Sequence, residues 1–575
     1  MTRLLRLLKP YRLHLALILL LALLQSIANL ALPTLMADIV DNGIVKSDTG
    51  YIIRVGAVML LVTIGGTICA IVAAFFSSRV ALGFGRILRA RIFTHVQHFS
   101  LDAFDTLSTA SLITRTTNDT TQVQQVVTMS LLMVITAPMM AIGGVILALS
   151  EDRSLSWILV VAIPVVFLVF VLTLRKAVPL FQAMQVKLDK LNLVMDEGLT
   201  GVRVVRAFDR DRHEQQRFDV ANLDLTNTAI TVNRIVAVLM PSMMLILSLT
   251  SVAILWFGSI RVNNGTMQIG AMIAFLQYAT QILFAILMVA VIFVLLPRAA
   301  ASATRINEVL DKEPTIADPV QPLPAGPLRG QLEFHDVTFR YHDAEEPALS
   351  HISFTAGPGE ITAIIGGTGS GKSTLVNLIP RFYDVEAGQV LVDGRDVREM
   401  TQHELRSKIG FVPQRAVLFS GTIDANLHYG KQDASREEVL HALRVAQAAD
   451  FVEAMPGGVD SAISQGGTNV SGGQKQRLSI ARALVRRPEI YVFDDCFSAL
   501  DFATDARLRA ALRGEIGDAT VVIVAQRVGT VMDADRIIVL DEGRVAGIGT
   551  HRELLQTCDV YQEIVSSQLS VEEIA

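Results

Sequence analysis

Apolar residues run in six long stretches through the first three hundred positions, approximately Leu13 to Leu32, Val55 to Phe76, Met129 to Leu149, Trp157 to Leu174, Ile235 to Phe257 and Ile269 to Leu296. Each is about the length that an α-helix needs to cross a bilayer, roughly 20 residues. The first follows Arg3, Arg6, Lys9 and Arg12, as a signal peptide would, but its apolar run is too long and further runs follow. Those basic residues instead place the amino terminus in the cytoplasm, and six crossings return the chain to that side. Short links, one with Asp38, Asp41, Lys46 and Asp48 and one with Glu151, Asp152 and Arg153, are expected to face outward. The second and third runs, and likewise the fourth and fifth, are separated by about fifty or more residues, too long for structureless loops, and the apolar spacing in Val186 to Val194 and Val202 to Phe208 predicts helices continuing into the cytoplasm.

At Pro314 the pattern changes. Pro314, Pro319, Pro322, Pro324 and Pro327, with Gly326 and Gly330, form a linker over 311–330 between a membrane domain at 1–310 and a second domain at 331–575. Short runs with alternating faces or buried character then read as strands: 332–334, 337–339, 352–354, 361–365, 389–392, 409–412, 490–493, 520–524 and 536–540. Helical pieces between several of them predict an α/β domain.

Composition agrees with that division and removes other classes. Half the residues are hydrophobic (51%) and 18% charged, an average of membrane and soluble sequence. A net charge of −5 provides no basic field, and the arginines of the first half lie between apolar runs, so nucleic-acid binding is disfavoured. Cys69, Cys496 and Cys558 are far apart, which supports neither a disulfide framework nor a zinc site.

The chemistry is carried by the strand at 361–365 flowing into Gly366, Gly367, Thr368, Gly369, Ser370, Gly371, Lys372, Ser373 and Thr374. Such a loop turns successive backbone N–H groups toward phosphate oxygens, sends Lys372 to the β- and γ-phosphates and offers the Ser373 hydroxyl to Mg²⁺. About a hundred residues later comes Val470-Ser471-Gly472-Gly473-Gln474. The two motifs together are far more specific than either alone.

Six runs with cytoplasmic extensions, followed by this ATPase, resemble a half-transporter of the ABC exporter family over essentially the whole chain: an α-helical six-span membrane domain joined to an α/β P-loop ABC ATPase domain. The resemblance implies ATP and Mg²⁺ as cofactors, a multi-pass protein of the cytoplasmic (inner) membrane, and roles for individual residues. Tyr341 corresponds to the aromatic that stacks on adenine, although an ordinary strand-end tyrosine fits its position too. Gln414 corresponds to the Q-loop glutamine that touches Mg²⁺. Ser471, Gly472, Gly473 and Gln474 correspond to the signature, which binds the γ-phosphate of ATP held by the opposite subunit. Asp494 ends the Walker B strand beside the metal, and Asp501 closes the D-loop.

Two positions depart from the family pattern. Asp495 stands where a glutamate usually polarises the attacking water, and Gln526 where the switch histidine usually stands. Glutamine can hydrogen-bond a γ-phosphate but carries no charge and shuttles no proton. Together these changes are similar to the degenerate nucleotide site of heterodimeric bacterial exporters, which implies a second, different half-transporter as partner; a slow symmetric homodimer is the alternative. The family's first coupling helix corresponds to Phe104 to Thr109 and its second to Gly201 to Phe208, with Phe208 either docking on a nucleotide-binding domain or packing in the helix bundle. Gln277, Tyr278 and Gln281 bring polar groups into the sixth run, either lining a cavity or joining helices. No charge lies deep in a run, which favours hydrophobic or amphipathic cargo, drugs or lipids, over ions. Three functions remain: ATP-driven export, import of a lipophilic chelate through the same fold, and an ATP-binding regulatory or channel subunit.

Overall fold

The computed structural model describes residues 2–321, 329–342 and 344–568. It divides into two compact units, residues 1–97 with 109–311, and 98–108 with 312–575.

The first unit is helical. Its long elements are α1 (Arg12–Asp38), α2 (Thr49–Val96), α4 (Thr120–Glu151), α5 (Trp157–Thr200), α7 (Asp211–Ala237), α8 (Leu239–Asn263) and α9 (Ile269–Asp311). Between them lie α3 (Leu101–Leu107), which groups with the second unit, and α6 (Val202–Ala207). Among the described residues, six helical segments are long and apolar enough to cross a membrane. Many apolar side chains on them point outward, among them Leu61, Ile71, Val160, Phe167 and Trp256, as expected of surface that meets lipid instead of water. α9 packs along α4, α1 along α2, and α5 along α7. Gly144 permits the first of these approaches, since a Cβ there would lie 2.8 Å from Ile282 Cγ1.

Polar groups in the bundle are spent on helix contacts. Tyr278 is fully buried on α9; its hydroxyl donates to Leu30 O at 2.9 Å and lies 2.5 Å from Thr34 Oγ1, both on α1. Gln281 Nε2 donates to Asn29 O at 3.2 Å. Of the two readings of these residues, joining helices is therefore the one with geometry behind it. At the other end of α9, Arg305 and Ser302 both bond the buried carboxylate of Asp119. The link between the first two apolar helices is shorter than its charges suggest. Asp38 ends α1 and Asp41 lies in the π-helical turn 39–44, where Asp41 Oδ1 accepts from Gly270 N at 2.7 Å and Asp38 Oδ2 from Tyr51 Oη at 2.6 Å.

α9 runs unbroken to Asp311. Of the linker's residues, Pro322, Pro324, Gly326 and Pro327 lie outside the described residues. In the second unit, Thr315 Oγ1 donates to Ser100 Oγ at 2.7 Å just before α3.

Two large sheets, and a small antiparallel pair of Gly421–Thr422 with Ala462–Ile463, are present among that unit's described residues. The first large sheet orders β2 (Leu349–Ala356), β1 (Leu332–Phe339) and β4 (Ala387–Val392) antiparallel, with the two-residue strand Arg395–Asp396 at its edge. The runs 332–334 and 337–339 are one strand, irregular in register where Asp336 adopts φ +49°. The second contains β3 (Ile361–Gly366), β5 (Ile409–Val412), β6 (Ile490–Asp494), β7 (Thr520–Val524), β8 (Arg536–Asp541) and β9 (Arg544–Gly549). Their order is β9-β8-β3-β7-β6-β5, parallel except for the β8–β9 pair. β6 and β7 are buried at every position, the continuous apolar pattern of parallel strands covered on both faces.

Candidate functional site

Register brings the site together. Val524 pairs with Ile364 on one side and with Asp494 on the other, so the glycine-rich loop after β3, the carboxylates after β6 and Gln526 after β7 leave the sheet at one carboxyl edge. That edge is where open α/β sheets bind ligands.

The loop wraps into α10 (Lys372–Leu378) through Gly369 at φ +86° and Gly371 at φ +95°. At Gly371 a Cβ would also stand 2.7 Å from Leu349 Cδ2, so only glycine fits this turn. The Lys372 ammonium folds back on the loop, donating to Gly366 O at 2.9 Å and Gly367 O at 2.5 Å. Burial lowers its pKa, opposed by the charges of Asp495 and Asp494. Tyr341 Oη lies 2.9 Å from Thr374 Oγ1, and its half-exposed ring meets Phe339 and Tyr383 edge-on.

Ser373 Oγ donates to Asp494 Oδ1 at 3.1 Å. A hydroxyl and a carboxylate are hard oxygen donors that would suit Mg²⁺ beside a nucleotide's phosphates. Gln414 stands next to this pair through Asp495. The residues therefore fit a metal bound together with a nucleotide.

Asp495 is the hub. Its Oδ2 accepts from Gln526 Nε2 at 2.7 Å and from Gln414 Nε2 at 3.1 Å, and its carbonyl accepts from Ser498 Oγ at 2.9 Å. Its backbone lies at φ +44°, a left-handed conformation that aspartate tolerates better than most residues. Burial raises the pKa of Asp495 and of Asp494, against the lowering influence of these hydrogen bonds and of Lys372.

Ser471 caps α11 (Gly472–Arg486) reciprocally: Gln474 N donates to Ser471 Oγ at 3.3 Å and Ser471 N to Gln474 Oε1 at 2.8 Å. This capping box leaves an exposed helix N-terminus with glycine at its first two positions, a surface suited to an anion. Ser471 and Gln474 bond each other; among the described residues no hydrogen bond joins them to the loop at 366–374. Asp501 caps α12 (Phe502–Ile516), accepting from Thr504 N at 2.9 Å, which holds its pKa down.

Two contributors carried no motif signal of their own. Gln476, buried on α11, donates to Pro413 O at 3.3 Å and so ties that helix to the residue before Gln414. A glutamine on the apolar face of an amphipathic helix was the available sign. Arg527 donates to Ser498 O at 3.3 Å and stacks over Phe502, joining the segment after Gln526 to residues 498–502.

Residues 15–287 match the family model described as ABC transporter transmembrane region and residues 349–498 the one described as ABC transporter. An uncharacterized ABC transporter ATP-binding protein of Mycobacterium tuberculosis is 46% identical over 97% of both chains. An ATP-dependent lipid A-core flippase of Desulfotalea psychrophila is 32% identical over 93% of both. A bacterial Atm1-family ABC exporter, solved with ATP bound, superposes with a TM-score of 0.82 at 26% identity, covering 97% of this chain and 98% of the other. The chain belongs to the ABC transporter family. It is a half-transporter of the exporter type, a multi-pass membrane protein whose fused ATPase domain binds and hydrolyses ATP to drive transport.

Proposed function

We propose that this chain is the degenerate-site subunit of a heterodimeric exporter in the cytoplasmic (inner) membrane, moving hydrophobic or amphipathic compounds. The observation that carries this reading is the short bond between Gln526 and Asp495. The two departures from the family pattern meet there: the carboxylate is one methylene short of the usual base, and its neighbour is an amide without a titratable proton. A well-placed general base contributes on the order of 10²–10⁴ in rate, so this chain's own site binds ATP with Mg²⁺ and turns it over slowly.

In this reading Lys372, the backbone of 366–374 and Tyr341 hold the nucleotide. Ser373, Asp494 and Gln414 hold Mg²⁺, which neutralises phosphate charge when bound. Ser471 to Gln474, with Asp501, complete the hydrolytic site of the partner, a different chain carrying glutamate and histidine at the two variant positions. The division into 1–310, 311–330 and 331–575 is retained, with both termini cytoplasmic. The exposure of Phe208, 73%, supports its docking on a partner domain. The lipid A-core flippases among the relatives support an amphipathic, lipid-like cargo.

The test is assembly. Purified from its own cells the chain should bring down one different half-transporter, and the pair should hydrolyse ATP far faster than a verified homodimer of this chain. Equal turnover by the homodimer would instead favour a symmetric exporter.

A further inference from the structure

The switch residue Gln526 precedes a helix that cannot cap itself. α13 (Val528–Val531) begins after Arg527, whose side chain makes no cap, so the Val528 N–H is one of the orphan donors at a helix start. The acceptor arrives from the far end of the domain. Gln568, last residue of α14 (Asp559–Gln568), accepts from Val528 N at 2.9 Å through Oε1 and donates to Gln526 O at 2.8 Å through Nε2. One carboxamide thus brackets Arg527 and bonds the backbone on both sides of it.

α14 is built to hold that amide in place. Tyr561, Val565 and Gln568 fall at i, i+4 and i+7, one stripe of the helix. Tyr561 and Val565 are buried in the core, and Tyr561 Oη is 2.7 Å from His551 Nδ1. On the other side, Ala525 N is fixed by Ile364 O at 3.1 Å. The backbone of Gln526 is therefore held between the sheet and α14, while its side chain points to Asp495.

We propose that Gln568 is a positioning residue for the switch: it holds the backbone of Gln526 so that the side-chain amide of Gln526 is presented to the nucleotide. The role is structural support at one remove, since Gln568 acts through Gln526 and touches neither nucleotide nor metal. It rests on the reading that Gln526 faces the γ-phosphate.

The experiment uses the full complex with Q568A, Q568E, Q526A and the Q526A/Q568A double variant, measuring amide hydrogen exchange over 526–528 and the release of radiolabelled ATP from this chain's site. Gln568 is at the exposed end of its helix, so its replacement leaves the core intact. Loss of two neutral hydrogen bonds should speed exchange about fivefold to thirtyfold in Q568A. ATP release should quicken in the same variant, with Q568E intermediate because it keeps the bond from Val528 N. In a Q526A background Q568A should add nothing to release. If Q526A quickens release and Q568A does not, the γ-phosphate reading stands and the positioning role is overturned. If Q526A itself leaves release unchanged, that reading fails and the proposal with it.

Discussion

Gln526 Nε2 donates to Asp495 Oδ2 at 2.7 Å, so the two residues that depart from the family pattern are one hydrogen-bonded unit. Restoring the family pattern must therefore change both. D495E alone would push a longer carboxylate toward an amide that cannot accept a proton, and Q526H alone would leave the carboxylate short. We expect D495E/Q526H to raise hydrolysis at this chain's site by at least an order of magnitude, within the range a general base contributes. Steady-state ATPase of the purified variant homodimer checks this; a rate equal to that of the natural chain would show that these residues do not limit turnover.

Burial raises the folded-state pKa of Asp495. A carboxyl raised above its unfolded value favours folding when protonated, and this contribution is lost as pH rises through the folded pKa. At neutral pH the ionised Asp495 is thus a local cost, of the kind active sites accept. D495N should raise the melting temperature of the nucleotide-free protein at neutral pH, and the gain should shrink as pH falls toward the carboxylate range. A gain that grows on acidification would contradict the assignment.

Y278F removes a hydroxyl that bonds Leu30 O and Thr34 without opening a cavity. Such bonds within membranes are worth about 0.6–2 kcal/mol. The variant should unfold at lower temperature in detergent while retaining substrate-stimulated ATPase. Loss of stimulation with unchanged stability would make Tyr278 a cargo contact.

Membrane orientation is open to direct labelling. In a background lacking Cys69, Cys496 and Cys558, K46C should react with an impermeant maleimide added to intact cells, and R210C should not. Reaction of R210C from outside would invert the topology.

What could be read from the sequence was what is contiguous in it. Six apolar runs, the 366–374 loop and the 471–474 signature announce themselves because a bilayer, a phosphate cradle and a helix cap each need neighbouring residues. Helix ends were less visible: Asp38 and Asp41 look like loop charges, yet Tyr51 Oη and Gly270 N satisfy them within helical turns. β9 escaped notice because Arg544–Gly549 alternates between exposed and half-buried positions at a sheet edge and includes two glycines. Gln476 and Gln568 were invisible for a different reason. Each acts by reaching a backbone group tens of residues away, and only the fold supplies that neighbour.

The division of labour between two composite sites is tested most directly by steady-state ATPase of the purified two-chain complex carrying either K372A or S471A/G472D in this chain, with folding checked by size exclusion. A Cβ at Gly472 meets nothing within 4 Å in this chain, so the aspartate leaves the fold intact while placing a carboxylate where phosphate must approach. The account predicts that S471A/G472D nearly abolishes turnover, because it spoils the partner's hydrolytic site, and that K372A lowers it only in part. Near-native turnover in S471A/G472D together with its loss in K372A would contradict the account and make Asp495 a working catalytic base.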